Sequence, residues 1–190
     1  DFYGGIDFRY YKGLHKNVIT DLFGGQYYVD SYNRKSVLAE NSVNGGVTSW
    51  VNQKLGVGDV IRRDYDGFVM YEGGFAQLEY NKDKVSAFVS GGLTNTSYWR
   101  KDRFYYSGDK QLSSKKHYLG GNVKAGLNYN LDDYNNVFFN TGFISRAPIF
   151  DNTFINSQSS HERNPDAKNE KVYSFELGYG YRSQYFSANV

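Results

Sequence analysis

Between Phe68 and Tyr98 apolar residues recur at every second position. Ala76, Leu78 and Tyr80 alternate with Phe75, Gln77 and Glu79. After a polar turn, Asn81-Lys82-Asp83-Lys84, Val85, Ala87, Val89, Gly91 and Leu93 alternate with Ser86, Phe88, Ser90, Gly92 and Thr94. A period of two puts successive side chains on opposite faces of a strand. The stretch therefore predicts a hairpin with one apolar face and one small, polar or charged face. A soluble sandwich produces this pattern with the apolar face turned in. A membrane barrel produces it with that face turned out to lipid and the polar face lining the lumen.

The same alternation runs through the rest of the chain. Ile6, Phe8 and Tyr10 alternate with Asp7, Arg9 and Tyr11. Leu119, Val123, Ala125, Leu127 and Tyr129 share one face, against Tyr118, Asn122, Lys124 and Asn128 on the other. Val137, Phe139, Thr141 and Phe143 oppose Asn140, Gly142 and Arg146. Tyr173, Phe175, Leu177, Tyr179 and Tyr181 oppose Ser174, Glu176, Gly178 and Gly180, and a last strand follows Arg182-Ser183-Gln184.

The predicted fold is all-β, an antiparallel up-and-down sheet of about seven long strands forming one partial β-barrel domain over residues 1–190. Connections alternate between short turns, near 81–84, 130–135 and 182–184, and long loops, near 13–66, 100–117 and 147–170. Within the first loop, Tyr27-Tyr28-Val29 and Val47 to Val51 are candidate short strands. Short turns on one side and long loops on the other are the asymmetry of an outer-membrane barrel, whereas a sandwich distributes loop lengths less regularly. Tyr80, Tyr129 and Tyr181 close the apolar face beside the short turns, where an aromatic girdle belongs.

Composition narrows the picture. The chain has 190 residues, 21 Gly and 18% aromatics, a balance that suits twisted sheet rather than helix. Without Cys there is neither a disulfide framework nor a thiolate metal site. A net charge of +2 with dispersed signs gives no argument for nucleic acid. Mean hydropathy is −0.66, and no apolar run approaches the ~20 residues of a spanning helix. Barrel strands need no such run. The ends, Asp1-Phe2-Tyr3 and Ser187-Ala188-Asn189-Val190, read as those of a piece of a longer chain.

Several motifs together resemble one family. They are Tyr11-Lys12-Gly13-Leu14-His15, Asp21-Leu22-Phe23-Gly24-Gly25 and Gly74-Phe75-Ala76-Gln77-Leu78-Glu79-Tyr80. To these are added Asn128-Tyr129-Asn130, Ser145-Arg146-Ala147-Pro148 and Asn164-Pro165-Asp166-Ala167-Lys168-Asn169-Glu170-Lys171 leading into Ser174-Phe175-Glu176-Leu177. The combination, spanning nearly the whole chain, resembles the C-terminal barrel region of TonB-dependent outer-membrane receptors, particularly those of Bacteroidetes. The resemblance implies part of a roughly 22-stranded transmembrane barrel in the bacterial outer membrane, with a plug that this chain lacks. It also implies TonB-energised import of a scarce ligand such as a siderophore, corrinoid or glycan. The implied partners are that ligand, outer-membrane lipid and, through the missing N-terminal part, the TonB complex. The alternative is a soluble β-sandwich carbohydrate-binding module.

The candidate residues follow from the faces. Arg9, Gln77, Glu79, Lys124, Arg146 and Glu176 are expected to line the lumen. Trp50, Trp99, Arg100, Arg103, Tyr105 and Tyr106 are the ligand-binding candidates, because aromatic rings beside charges in long loops suit ligand capture. No acid/base pair or nucleophile spacing points to an enzyme, and no cofactor is expected. His15, His117 and His161 lie far apart, without ligand spacing for a metal. Asp64-Tyr65-Asp66-Gly67 opens like a calcium loop but lacks the closing acid, and reads as a turn.

Overall fold

The alternation folds into one sheet. In the computed structural model, which describes residues 1–31 and 53–190, seven antiparallel strands lie in sequence order, each hydrogen-bonded to its neighbours in the chain. They are β1 (Phe2–Val18), β2 (Val60–Lys82), β3 (Val85–Asp102), β4 (Lys116–Asn130), β5 (Asn135–Arg146), β6 (Glu170–Arg182) and β7 (Ser187–Asn189). The helical residues among those in elements are a 3-10 turn at Gly108–Gln111 and one turn, α1, at Phe150–Thr153. Among the described residues β1 and β7 do not pair with each other, so the sheet is open at both edges.

The hairpin that anchors the pattern is tighter than its polar residues suggest. Lys82 pairs with Val85, leaving Asp83-Lys84 as a two-residue loop. Asp83 has φ 51°, the positive value that mirror-image hairpin turns demand and that Asp tolerates. At the next short turn the Asp132 carboxylate accepts the Tyr134 and Asn135 N–H groups, both at 2.8 Å, which sets β5 antiparallel to β4.

Register carries the two faces across the sheet. Phe2, Leu78, Val89, Ala125, Thr141 and Phe175 stand in one cross-strand row. Glu79, Phe88, Gly126, Asn140 and Glu176 stand in a row on the opposite face. Leu78, Val89, Leu127 and Phe175 are exposed, at 55%, 47%, 50% and 76%, so among the described residues no second layer covers the apolar face. The buried side chains Tyr65, Tyr98, Tyr118, Phe154 and Ala167 lie instead at the long-loop end, where 147–169 folds over the polar face.

Strands extend into stretches that the sequence reads as loop. β1 continues through Gly13–Val18 and β2 begins at Val60, so the first connection is 19–59 rather than 13–66. The other two long loops shrink to 103–115 and 147–169. The cause is cross-strand pairing: Lys12 pairs with Phe68, Leu14 with Asp66 and Lys16 with Asp64, contacts that no local pattern encodes. Asp64-Tyr65-Asp66-Gly67 is consequently strand, not turn. Tyr28 makes only an isolated bridge to Leu55, and Val47 to Val51 fall outside the described residues.

Candidate functional site at the long-loop end

The site is assembled on Arg100. Strand phase turns Arg100 and Asp102 to the polar face of β3, and both side chains are fully buried as an ion pair. The guanidinium packs over the Tyr65 ring at 4.5 Å, and Tyr65 in turn stacks on His15 at 4.6 Å. Arg100 Nη1 donates to the carbonyls of Ser160, 2.8 Å, and Asn156, 3.3 Å. Asp102 accepts the Phe104 and Tyr105 N–H groups at 2.8 and 2.7 Å. Charge-assisted bonds of this kind, removed from water, are the strong ones. One ion pair thus fixes loop 103–115 through its acid and loop 147–169 through its base.

The two loops also hold each other. Tyr106 stacks on His161 at 3.8 Å, and its hydroxyl accepts the His161 N–H at 3.1 Å. His161 Nε2 lies 3.0 Å from the Lys110 carbonyl and 3.1 Å from that of Gln111. Two acceptors require Nε2 to carry the proton, which leaves Nδ1 unprotonated, buried and without a partner. Burial first, and the Arg100 charge second, hold the His161 pKa down to about 4. The first long loop joins at Arg62, a non-glycine residue at φ 64°. The Asp30 carboxylate accepts the Arg62 N–H at 3.0 Å, and the Tyr105 hydroxyl donates to the Arg62 carbonyl at 2.8 Å.

Against β2 and β3 the cap is aromatic. The Tyr98 hydroxyl donates to the Pro148 carbonyl at 2.7 Å, and its ring meets Phe150 edge-on at 5.9 Å. Phe150 reaches so close to Gly67 that a Cβ there would lie 3.0 Å from the ring. Beside this contact a cavity of about 240 Å³ opens between β1 and the cap, lined by Tyr11, His15, Val69, Ile149, Phe150 and Asp151. It offers aromatic walls, an imidazole and a carboxylate at the end where the long loops meet.

The six ligand-binding candidates separate. Arg100 is fully buried and Tyr105 is 8% exposed, and both hold loops. Their strand phase and loop contacts turn both side chains inward, against loops 103–115 and 147–169. Arg103 sits at the surface, bonded to Asp64 at 2.6 Å and Asp66 at 2.7 Å, which raise its pKa further. Tyr106 is half-buried under His161. Trp99 lies on the apolar face, opposite Arg100 in phase, stacked on Phe68. Trp50 lies outside the described residues.

The lumen candidates behave as one set. Arg9, Gln77, Glu79, Lys124, Arg146 and Glu176 all fall on the polar face by register. Gln77 donates to Glu79 at 2.6 Å, Asn140 to Glu176 at 2.9 Å and Arg146 to Glu170 at 2.6 Å. Near the short turns a second cavity, of about 320 Å³, has Phe88 and Phe138 in its wall beside Glu79, Asn128 and Asn140.

Sequence reasoning missed Tyr65, Asp102, Phe150, Phe154 and His161 as parts of one cap. The Arg100–Asp102 spacing was the available signal, since residues i and i+2 on a strand share a face. The three histidines stand on β1, β4 and loop 147–169, and among the described residues no three His, Cys, Asp or Glu side chains converge on a metal position. No protein-family model matches the chain, and the comparison with curated proteins gives no match.

Proposed function

We propose that this chain is part of the barrel wall of an outer-membrane receptor that imports a scarce ligand with energy from TonB. The single observation that carries the reading is the exposed apolar face, opposite a polar face on which every candidate lumen residue falls. A soluble sheet buries its apolar face, and an exposed patch of this extent in water is an aggregation hazard. In a bilayer the same face is satisfied by lipid, and the paired strands leave no backbone group without a partner once the barrel closes. The open edges, β1 and β7, are then the places where further strands of a roughly 22-stranded barrel join.

In this reading the long loops face the exterior. The cavity bounded by Tyr11, His15, Phe150 and Asp151 receives part of the ligand, and Arg100 keeps the cap over it. Import follows when the plug, carried elsewhere in the protein, moves. The chain is a conduit and catalyses nothing.

The test uses whole cells expressing the intact protein. External protease is expected to cut within 19–59, or within 147–169 once Arg100→Met frees it, and to spare 83–84 and 131–134. Removing 103–115 and 147–169 together is expected to abolish growth on one limiting nutrient in a panel of iron, corrinoid and glycan sources, at unchanged folded receptor level. A protein recovered wholly in the soluble fraction would overturn the proposal.

A further inference from the structure

One row on the apolar face is neither lipid-like nor loop-like. Lys12 on β1, Phe68 on β2 and Trp99 on β3 are register neighbours, and Lys115, just before β4, reaches over Trp99. Phe68 and Trp99 stack at 5.2 Å with planes 5° apart. The Lys12 ammonium lies 5.6 Å from the Phe68 ring centre and the Lys115 ammonium 4.6 Å from the Trp99 ring centre. The order across the sheet is cation, ring, ring, cation.

Its height follows from strand geometry. The apolar band runs from the row of Val85, Tyr129 and Tyr179 up to Phe8 and Leu119, in whose row the hydrogen-bonded pair Glu72 and Asn95 begins the polar rim. Ten residues along β3 span ~34 Å, or ~25 Å of height at the usual tilt, the thickness expected of a barrel's apolar band. Trp99 is four residues further, ~10 Å above the band, and lysine side chains reach back across much of that gap. The row therefore stands at headgroup level.

The charge there is positive. Arg103 is engaged by Asp64 and Asp66, and Lys12 shares Asp66 at 3.1 Å. Lys101, opposite Asp66 in register, and Lys115 are exposed and make no ion pair among the described residues. Two stacked rings hold the lysines apart on a fixed platform, a geometry suited to a headgroup with more than one anionic group.

We infer that the row formed by Lys12, Phe68, Trp99 and Lys115 binds the phosphates of an outer-leaflet phosphoglycolipid headgroup. The inference rests on the membrane reading of the apolar face. It adds a lipid site on the outside of the wall, remote in phase from the ligand cavity.

The experiment places the intact protein in nanodiscs and measures lipid retained after detergent exchange by native mass spectrometry. The probes are diphosphoryl lipid A, the same lipid without phosphates, and inorganic phosphate. Wild type is expected to retain the diphosphoryl lipid in preference to the dephosphorylated one. Each lysine replaced is expected to cost about fivefold in retention, so Lys115→Gln and the double change Lys12→Gln/Lys115→Gln form a graded series. Lys82→Gln, at the opposite rim of the same face, should change nothing. Equal retention of the two lipids, no effect of the double change, or equal binding of inorganic phosphate overturns the inference. Heat-modifiable gel mobility reports insertion in parallel. A protein that enters no bilayer overturns the membrane reading and this site with it, whereas insertion without phosphate preference overturns this site alone.

Discussion

Arg100 and Asp102 form an ion pair with no exposed side-chain surface on either partner. Two charges are removed from water here, and each also anchors a loop. The base holds loop 147–169 and the acid holds loop 103–115. Breaking such a pair strands the remaining charge and costs about 3–5 kcal/mol. Arg100→Met is therefore expected to free the cap while the strands persist. Limited proteolysis should show rapid cutting within 147–169, and hydrogen exchange should show unchanged protection in β4–β6. Wild-type resistance of that loop would contradict the role given to Arg100.

The clasp between loops should depend on pH through His161. Its folded-state pKa, about 4, lies below the ordinary 6.5. Between those values the opened state binds a proton that the closed state refuses, so closure strengthens as pH rises through the window and is complete above about 6.5. Below about 4 the full penalty is present. Amide exchange at His161 and in the 110–111 turn is expected to accelerate from pH 7 to pH 4, after correction for intrinsic rates, and His161→Gln should flatten that dependence.

A third expectation concerns the polar face near the short turns. A Cβ at Gly178 would lie 2.2 Å from the Phe138 ring. Gly178→Ala must displace that ring, at about 1–3 kcal/mol. Phe138→Leu should recover part of the loss when combined with it, because the two sites share one contact. Chemical unfolding of the single and double variants measures this.

The alternation made the sheet legible from the residues alone. Two-residue phase assigned Leu78, Val89, Leu127 and Phe175 to one face and Gln77, Glu79, Lys124 and Glu176 to the other, and the register keeps them there. Strand ends were less legible. Gly13 to Val18 carries a glycine and mixed polarity, and it becomes strand only because β2 lies beside it. The cap was least legible, since Phe150, Phe154 and His161 meet Arg100, Tyr98 and Tyr106 across separations that periodicity does not reach. Trp99 shows the same limit: it neighbours Arg100 in sequence, yet phase puts it on the opposite face, away from the cavity under the cap.

Placing a charge on each face gives a fourth expectation. Leu78→Lys puts an ammonium near the middle of the apolar band and should cost about 2–4 kcal/mol of stability in a bilayer. Gln77→Lys, one residue away on the polar face, should cost little. Urea unfolding in lipid vesicles separates the two, and equal costs would argue against lipid on the Leu78 side.

The central claim is that the odd-numbered residues of β3 face lipid and the even-numbered ones face a wet lumen. Because the chain contains no Cys, single cysteines at positions 85 to 94 can each carry a nitroxide in the intact protein, reconstituted in a bilayer. Spin-label accessibility to oxygen, which concentrates in lipid, is expected to peak at 85, 87, 89, 91 and 93. Accessibility to a water-soluble nickel chelate should peak at 86, 88, 90, 92 and 94. Odd positions shielded from both reagents would mean that protein covers the apolar face, and would contradict the account.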